Sequence, residues 1–298
     1  MAELAVVIVS HNSARWLGPC LHSVYSHAGG ATLDVVVVDS GSTDGSAALV
    51  GRDFPQARVL CVENRGFAHA NNRGLATVRA RYVLFLNPDT EIVSGSFAEL
   101  VKAMDMRSTV GLIGCRQLTP DGELYPTIRR FPTAGRMLWE ALGSERYPIR
   151  RPWMGERELD PEAYERETPC DWTSGSFMLA RTCAVRAVGG MDERFFLYCE
   201  EPDLCLRIKR SGWDVRHLPA MTIVHHVGKE WGDVRLAAQE AYARRQYAAK
   251  HMSPGGRAAA LGALALFHAR HARRPSARAA LRAVLGLGPA PFAPAGPS

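Results

Sequence analysis

The sequence predicts an α/β fold: a Rossmann-like, mainly parallel central sheet flanked by helices, with a helical C-terminal tail. Three observations carry this expectation. Strand-like and helix-like segments alternate through the first ninety residues. The strand-like segments are continuous β-branched runs, as expected of strands covered on both faces by crossover helices. Each ends in Asp, Asn, Ser or Gly, at the place where open α/β sheets bind their ligands.

Residues 4–9 (Leu-Ala-Val-Val-Ile-Val) open the pattern as a buried strand. Residues 13–26 follow as a helix, with Trp16, Leu17, Cys20, Leu21 and Val24 at helical spacing. Residues 33–38 read as a second strand, 44–50 as a helix, 57–62 as a third strand, 67–78 as a helix and 81–86 as a fourth strand. The four strand ends are Ser10-His11-Asn12, Asp39 through Gly45, Glu63-Asn64-Arg65-Gly66 and Asn87-Pro88-Asp89. Loops are commonly polar, but four such ends in succession indicate a site.

A further strand is expected at 110–115. Residues 116–170 are rich in Pro, Arg and Glu, contain Arg129-Arg130, Trp139, Arg150-Arg151 and Trp153, and read as a long functional loop. Order resumes at residues 171–179, followed by a short helix at 182–188 and the stretch Gly189 to Glu193. The aromatic run Phe195-Phe196-Leu197-Tyr198 then leads into a helix at 200–211. Strands at 214–218 and 221–224 end at His225-His226. The chain is helical and Ala/Arg-rich from Val234, and its Pro/Gly/Ala end after Gly286 is expected to be disordered.

With 298 residues, 47% of them apolar and 22% charged, the chain suits one large soluble domain, with or without a tail. The net charge of +6 is uneven: residues 235–298 hold ten Arg/Lys against one acid (Glu240), so the tail carries +9 and the remainder −3. Such an end points to an anionic partner or to a solvated helix face. Seven scattered cysteines without a CxxC pair suggest reduced thiols, with neither a zinc site nor a disulfide framework. Met1-Ala2-Glu3 runs straight into a strand-like segment, and the apolar run 258–267 is too short to span a bilayer. The expected location is cytoplasmic, as a peripheral protein on the inner face of the plasma membrane. No nucleic-acid partner is expected, and self-association is left open.

Three groups bear chemistry. Asp89, after a hydrophobic strand and before an expected helix, offers an oxygen ligand of the kind Mg²⁺ or Mn²⁺ prefers; alone, it also reads as a turn and helix cap. Glu200-Glu201-Pro202-Asp203 places three carboxylates at a helix start, where the macrodipole favours them. The preceding aromatics would bury that end, raise a carboxyl pKa and make a general base. His225-His226 closes a strand near Gly228 and reads equally as structural or as metal-binding.

Taken in order, these segments resemble the family-2 glycosyltransferases with the GT-A fold, in particular the bacterial rhamnosyltransferase-like branch. The matching stretches run from Val6 through Asn12, Val37 through Ser46, Glu63 through Gly74, Phe85 through Glu91, Thr173 through Ser176, Gly189 through Glu193, Phe195 through Leu206 and His225 through Gly228. The resemblance implies an inverting sugar transfer from a dTDP- or UDP-sugar, with rhamnose favoured, to a hydroxyl of a glycan or lipid-linked acceptor in cell-surface polysaccharide synthesis. It divides the chain into a catalytic domain (1–232, with a nucleotide-sugar half 1–115 and an acceptor half 116–232), a basic helical tail (233–286) and an end at 287–298.

By resemblance, Asp39 accepts the N3–H of uracil or thymine above a floor near Ser10. His11, Asn12, Ser42, Asp44, Asn64, Gly66, Phe67 and Asn71 line the nucleotide and donor sugar. Asp89 is the metal ligand of the Asp-x-Asp motif, Asn87 contacts ribose or a metal-bound water, and His225 completes the metal or diphosphate site with His226 as a substitute. Glu201 is the general base, with Glu200 as the alternative. Trp172, Ser174, Gly175 and Asp192 form the acceptor side. The chain departs from the family pattern at Asn87 (an Asp in the motif), at Glu201 (usually Asp) and at Glu230 (often a small hydroxyl residue). Two other readings stand beside this one: a nucleotidyltransferase, whose Gly-rich, Lys-bearing first loop is missing, and an inactive membrane-associated scaffold, which should have lost the acids retained here. NAD binding is not expected, because no GxGxxG follows the first strand.

Overall fold

The computed structural model describes residues 2–143, 154–226 and 233–292. Its first half is a run of βα units: β1 (Leu4–Ser10), α1 (Ala14–Ser26), β2 (Leu33–Ser40), α2 (Ser46–Asp53), β3 (Arg58–Val62), α3 (Phe67–Thr77) and β4 (Tyr82–Leu86). Then come β5 (Thr90–Ser94), α4 (Phe97–Asp105), β6 (Val110–Leu118), α5 (Ala134–Ala141), a 3-10 turn at Pro161–Tyr164, β7 (Thr168–Pro169), β8 (Phe177–Arg181) and α6 (Thr182–Ala187). The chain continues through α7 (Glu200–Arg210), β9 (Asp214–His225), α8 (Val234–His251), α9 (Pro254–Arg270) and α10 (Pro275–Leu285).

The strands form one sheet in the order β3-β2-β1-β4-β8-β6-β9-β5, with β7 against β9. The β3-β2-β1-β4 half is parallel; β8 enters antiparallel to both β4 and β6, and β6 and β9 run parallel. All seven residues of β1 are buried. Its alternate side chains enter different cores: Leu4, Val6 and Ile8 pack with α1, α2 and α4, whereas Ala5, Val7 and Val9 pack with α3 and α7. Burial on both faces is why these strands read as uninterrupted apolar runs.

Several expectations change. Asp89 is followed by a strand and not a helix: Thr90 and Ile92 point inward while Glu91 and Val93 do not, and the strand pairs antiparallel with β9. The helix begins later, at Phe97, behind a Ser96/Glu99 capping box. The two strands expected at 214–218 and 221–224 are one strand, whose register against β6 shifts where Pro219 interrupts the ladder. Residues 116–170 are not one loop, since β6 extends to Leu118, Thr133 caps α5, and the 3-10 turn and β7 follow. Arg150, Arg151, Trp153, Gly228 and Glu230 lie outside the described residues.

The tail is folded onto the body. Met137 of α5, with Ala134 packed alongside, shares a core with Ala241, Ala248, Ala260, Leu264, Ala280 and Val284 of the last three helices. Small alanines let these helices approach closely. Phe195 and Cys199 pack against Ala243 and Tyr247 of α8, which brings the tail against the segment preceding Glu200. The terminal segment is tied down as far as Phe292, whose ring stacks on Phe196 at 5.0 Å while Arg235 donates to the Pro291 carbonyl at 3.0 Å. Residues 293–298 lie outside the described residues.

Candidate active site

The carboxyl ends of β1, β2 and β4 converge with the loop before β8 and the start of α7. Asp39 ends β2 in register with Ser10 of β1. One Asp39 oxygen accepts the Ser42 N–H at 3.0 Å; the other, Oδ2, is buried without a partner, as is Ser10 Oγ. A buried carboxylate oxygen with an open lone pair is suited to receiving an N–H from a ligand.

The neighbouring residues divide into loop-builders and open groups. Asn12, at φ 51°, accepts the Thr43 N–H at 2.8 Å and donates its own N–H to Ser42 Oγ at 2.9 Å. Asp44 accepts from the Ser46 hydroxyl at 2.5 Å, from Ser46 N–H at 3.0 Å and from Ala14 N–H at 2.9 Å, and these bonds, the hydroxyl's foremost, lower its pKa. Asn71 is buried and donates to the Phe67 carbonyl one turn back at 3.0 Å. The side chains of Asn12, Ser42, Asp44 and Asn71 thus brace the loops at these strand ends. His11 bonds the Ser40 carbonyl at 2.8 Å and meets Asn64 Nδ2 at 3.5 Å.

Gly66 joins this wall to the next. It sits at φ 101°, where a Cβ would stand 2.2 Å from the Phe196 carbonyl oxygen, and the same oxygen accepts the Phe67 N–H at 2.7 Å. Only glycine allows this approach.

At the metal-type end, His225 Nε2 lies 3.2 Å from Asp89 Oδ1, brought there by the pairing of β5 with β9. His226 goes elsewhere: its Nε2 bonds Glu91 at 2.7 Å, and its ring stacks on Trp16 at 4.8 Å. The His226 backbone N–H donates to the Asp89 carbonyl at 2.8 Å, but its ring is turned away from the Asp89 carboxylate, because successive residues along an extended chain point to opposite sides. No group of three His, Cys, Asp or Glu poised for a metal occurs among the described residues. One carboxylate and one imidazole nonetheless fit Mg²⁺ or Mn²⁺, which complete their shells with water and substrate phosphates. Asn87 donates its N–H to the Ser176 carbonyl at 3.1 Å, and no side-chain bond of Asn87 occurs among the described residues.

The acids of α7 are presented by a strained turn. Tyr198 and Cys199 both adopt left-handed backbone angles, φ 70° and 68°, which non-glycine residues rarely do. Such strain persists only where surrounding structure imposes it, and it is commonly found at functional sites. Glu201 Oε1 accepts the Gly175 N–H at 3.2 Å. Burial raises its pKa, opposed by hydrogen bonds from the backbone and by the nearby Arg129 guanidinium. Glu200 is almost wholly buried; burial first, then the Glu201 charge, push its pKa well above the usual carboxylate range. Its Oε2 has no partner. Glu201 is the more accessible of the two and faces the Trp172–Ser176 segment, which favours it over Glu200 as the base.

That segment is itself fixed. Trp172 Nε1 donates to the Arg130 carbonyl at 3.0 Å, and Ser174 Oγ lies 2.9 Å from Ser176 Oγ, which in turn donates to buried Gln117 at 2.8 Å. Asp192 lines a surface cavity with Asn72, Gly190 and Arg207, where Arg194 and Lys250 both bond it at 2.6 Å and hold its pKa down against the effect of burial. Lys250 also bonds Asp203, which is fully buried and is engaged by His251 at 2.6 Å and Arg207 at 2.8 Å. Arg244 likewise bonds buried Glu156 at 2.9 Å. Two tail cations expected to face an anionic partner are therefore spent inside the protein.

Comparison with known proteins agrees with this architecture. Residues 5–160 match the family model of glycosyl transferase family 2. The chain is 32% identical over 244 residues to an N-acetylglucosaminyl-diphospho-decaprenol L-rhamnosyltransferase of Mycobacterium tuberculosis, spanning 77% of this chain and 78% of that protein. It is 27% identical over 169 residues to rhamnosyltransferase WbbL of Escherichia coli, spanning 54% and 61%. Its fold resembles that of a Pyrobaculum calidifontis mannosyltransferase solved with GDP-Man and Mn²⁺, with a TM-score of 0.57 and 22% identity across 97% of this chain and 76% of that one.

Proposed function

This chain belongs to glycosyl transferase family 2, and from that premise we propose that it is an inverting, metal-assisted rhamnosyltransferase of cell-surface glycan synthesis. The donor is a dTDP- or UDP-sugar, and the acceptor is a hydroxyl of a glycan carried on a lipid diphosphate. The sugar and the acceptor class rest on likeness to the mycobacterial rhamnosyltransferase.

The observation that carries the reading is a single dipeptide bridging the two catalytic ends. Gly175 gives its N–H to Glu201, and the next residue, Ser176, accepts the Asn87 N–H of the metal-type loop. Base and diphosphate site are thereby held in fixed relation, as an in-line displacement requires.

Asp39 Oδ2 would receive the N3–H of uracil or thymine. Asp89 and His225 would hold Mg²⁺ or Mn²⁺, which when bound supplies Lewis-acid stabilisation of the departing diphosphate. Glu201, ionised, would take the proton of the acceptor hydroxyl as that oxygen attacks the anomeric carbon on the face opposite the leaving group. Glu200 would stay neutral beside it, since two adjacent buried carboxylates do not both ionise readily.

No helix among the described residues is long and apolar enough to cross a membrane. Exposed Arg257, Arg270, Arg273, Arg274 and Arg278, with Leu266 and Phe267 on α9, would rest on an anionic lipid surface that presents the acceptor. Vesicles with and without anionic lipid would test this, since equal binding to both would dismiss it.

The donor is tested by thermal shift with dTDP- and UDP-sugars in the presence of Mn²⁺, followed by transfer to an N-acetylglucosaminyl-diphospho-lipid. A metal-dependent shift with one nucleotide series and formation of a rhamnosylated product are expected. Absence of any nucleotide-dependent shift would sink the reading.

A further inference from the structure

We propose that Arg129 is an oxyanion-binding residue whose guanidinium takes a phosphate group of one of the two substrates beside Glu201. This rests on the glycosyltransferase reading above and adds a binding residue in the region that adjoins the metal-type pair and the base.

The backbone of Arg129 is pinned. Its N–H donates to the Trp172 carbonyl at 3.0 Å, and its own carbonyl accepts from Asp171 at 3.0 Å and Trp172 at 3.2 Å. A further bridge joins it to Arg157. The guanidinium lies over the Trp172 ring, 5.4 Å from its centroid. Its Nε is buried without a hydrogen-bond partner, and no carboxylate forms an ion pair with it among the described residues.

Arg116 Nε, Arg207 Nη2 and Arg216 Nε are likewise buried without a hydrogen bond, but each of these arginines has a carboxylate partner. Arg130 pairs with Glu158, Arg107 and Arg216 share Glu167, Arg207 pairs with Asp203 and Arg244 with Glu156. Arg181 and Arg186 donate to backbone carbonyls instead. Arg129 has neither arrangement. An arginine does not shed its proton, so a buried and unpaired one is a standing cost unless an anion arrives.

Its surroundings say where that anion sits. The charged and titratable groups whose fields reach Arg129 are Arg157, Tyr125, Glu156 and Tyr164, and the Arg129 charge in turn acts on Glu201. Glu156 is already taken by Arg244, and Arg157 repels. Trp172, under the guanidinium, lies three residues before Gly175, which bonds Glu201, and Tyr125 meets His225 edge-on with ring centroids 6.2 Å apart, so this region adjoins both the candidate base and the metal-type pair. A planar guanidinium receives phosphate oxygens in bidentate fashion. Two substrate phosphates could reach this point: the diphosphate of the donor and the phosphate of the lipid-linked acceptor.

The test uses the full chain with Arg129→Met, which retains the apolar stem over Trp172, and Arg129→Lys, which retains the charge. Circular dichroism and melting curves establish folding of both. Calorimetry then measures binding of UDP, dTDP and inorganic pyrophosphate with Mn²⁺. A second arm measures KM for a phosphate-bearing acceptor and for the same glycan without phosphate. Weakening of nucleotide and pyrophosphate binding by about tenfold or more in Arg129→Met, partly restored in Arg129→Lys, assigns the donor diphosphate. A comparable rise in KM for the phosphorylated acceptor alone assigns the acceptor phosphate. Unchanged constants in both arms, in folded protein, overturn the proposal. If the unsubstituted chain binds neither nucleotide, the glycosyltransferase reading itself falls and takes the role of Arg129 with it.

Discussion

Gly175 presents its N–H to Glu201 Oε1 at 3.2 Å, and a Cβ at that glycine would stand 2.7 Å from the same oxygen. The carboxylate is therefore seated against bare backbone. Gly175→Ala must push the Glu201 side chain aside while leaving the sheet and the nucleotide loops untouched. We expect kcat to fall by about tenfold to a hundredfold with donor affinity unchanged, because small displacements of a reacting group are costly. Steady-state kinetics together with nucleotide titration check this; an unchanged kcat would remove Gly175 from the positioning of the base.

Glu201→Gln should lower kcat by about 10²–10⁴-fold with little change in nucleotide binding, the usual contribution of a general base. If Glu200→Gln is the crippled variant and Glu201→Gln is not, the base lies one residue earlier.

Glu200 makes a separate statement about stability. Its folded-state pKa is raised, first by burial and then by the Glu201 charge. A carboxyl raised in this way contributes stability that is fully present below its unfolded pKa and is lost as pH rises through the folded value. Glu200→Gln, permanently neutral, should therefore match the parent in acid and gain on it as pH rises above the ordinary carboxylate range. Melting temperatures measured across pH would show the gap widening; a constant gap would mean that Glu200 is not buried as an acid.

The acid limb of activity follows from Glu201. Its raised pKa means that Glu201, the proposed base, becomes ionised only above the usual glutamate value. kcat/KM should fall toward acid with a midpoint above that value. A profile flat down to the ordinary carboxylate range would contradict burial of the base.

Asp39→Asn tests the nucleobase end. The buried Oδ2 would become an amide or lose its accepting role, and affinity for UDP and dTDP should fall by about 1–3 kcal/mol, the cost of leaving a buried polar group unpaired. The fold should survive, since the Ser42 N–H is still accepted by the remaining oxygen. Calorimetry showing equal affinity for both proteins would place the base elsewhere.

The sequence by itself determined the sheet and the order of the loops on it. Residues buried on both faces must be apolar without interruption, so β1, β2 and β4 were legible, and their polar ends located Ser10, Asp39 and Asp89. It also singled out Glu200 and Glu201 as candidates for the base. Only the tertiary structure decided which polar residues remain free. That Asn12, Asp44 and Asn71 each hydrogen-bond within the chain is not visible in a string of letters. Arg244 and Lys250 look like surface charge, yet each meets a buried carboxylate 88 or 47 residues away in the chain. His225 and His226 are adjacent in sequence and parted by the pleat, one toward Asp89 and the other toward Glu91. Arg129 stood among many arginines until the fold left it without a partner. The physical reason is common to all four cases. Burial follows from local apolar patterning, which a sequence displays, whereas the satisfaction of a polar group depends on its partner, and partners are supplied by distant parts of the chain.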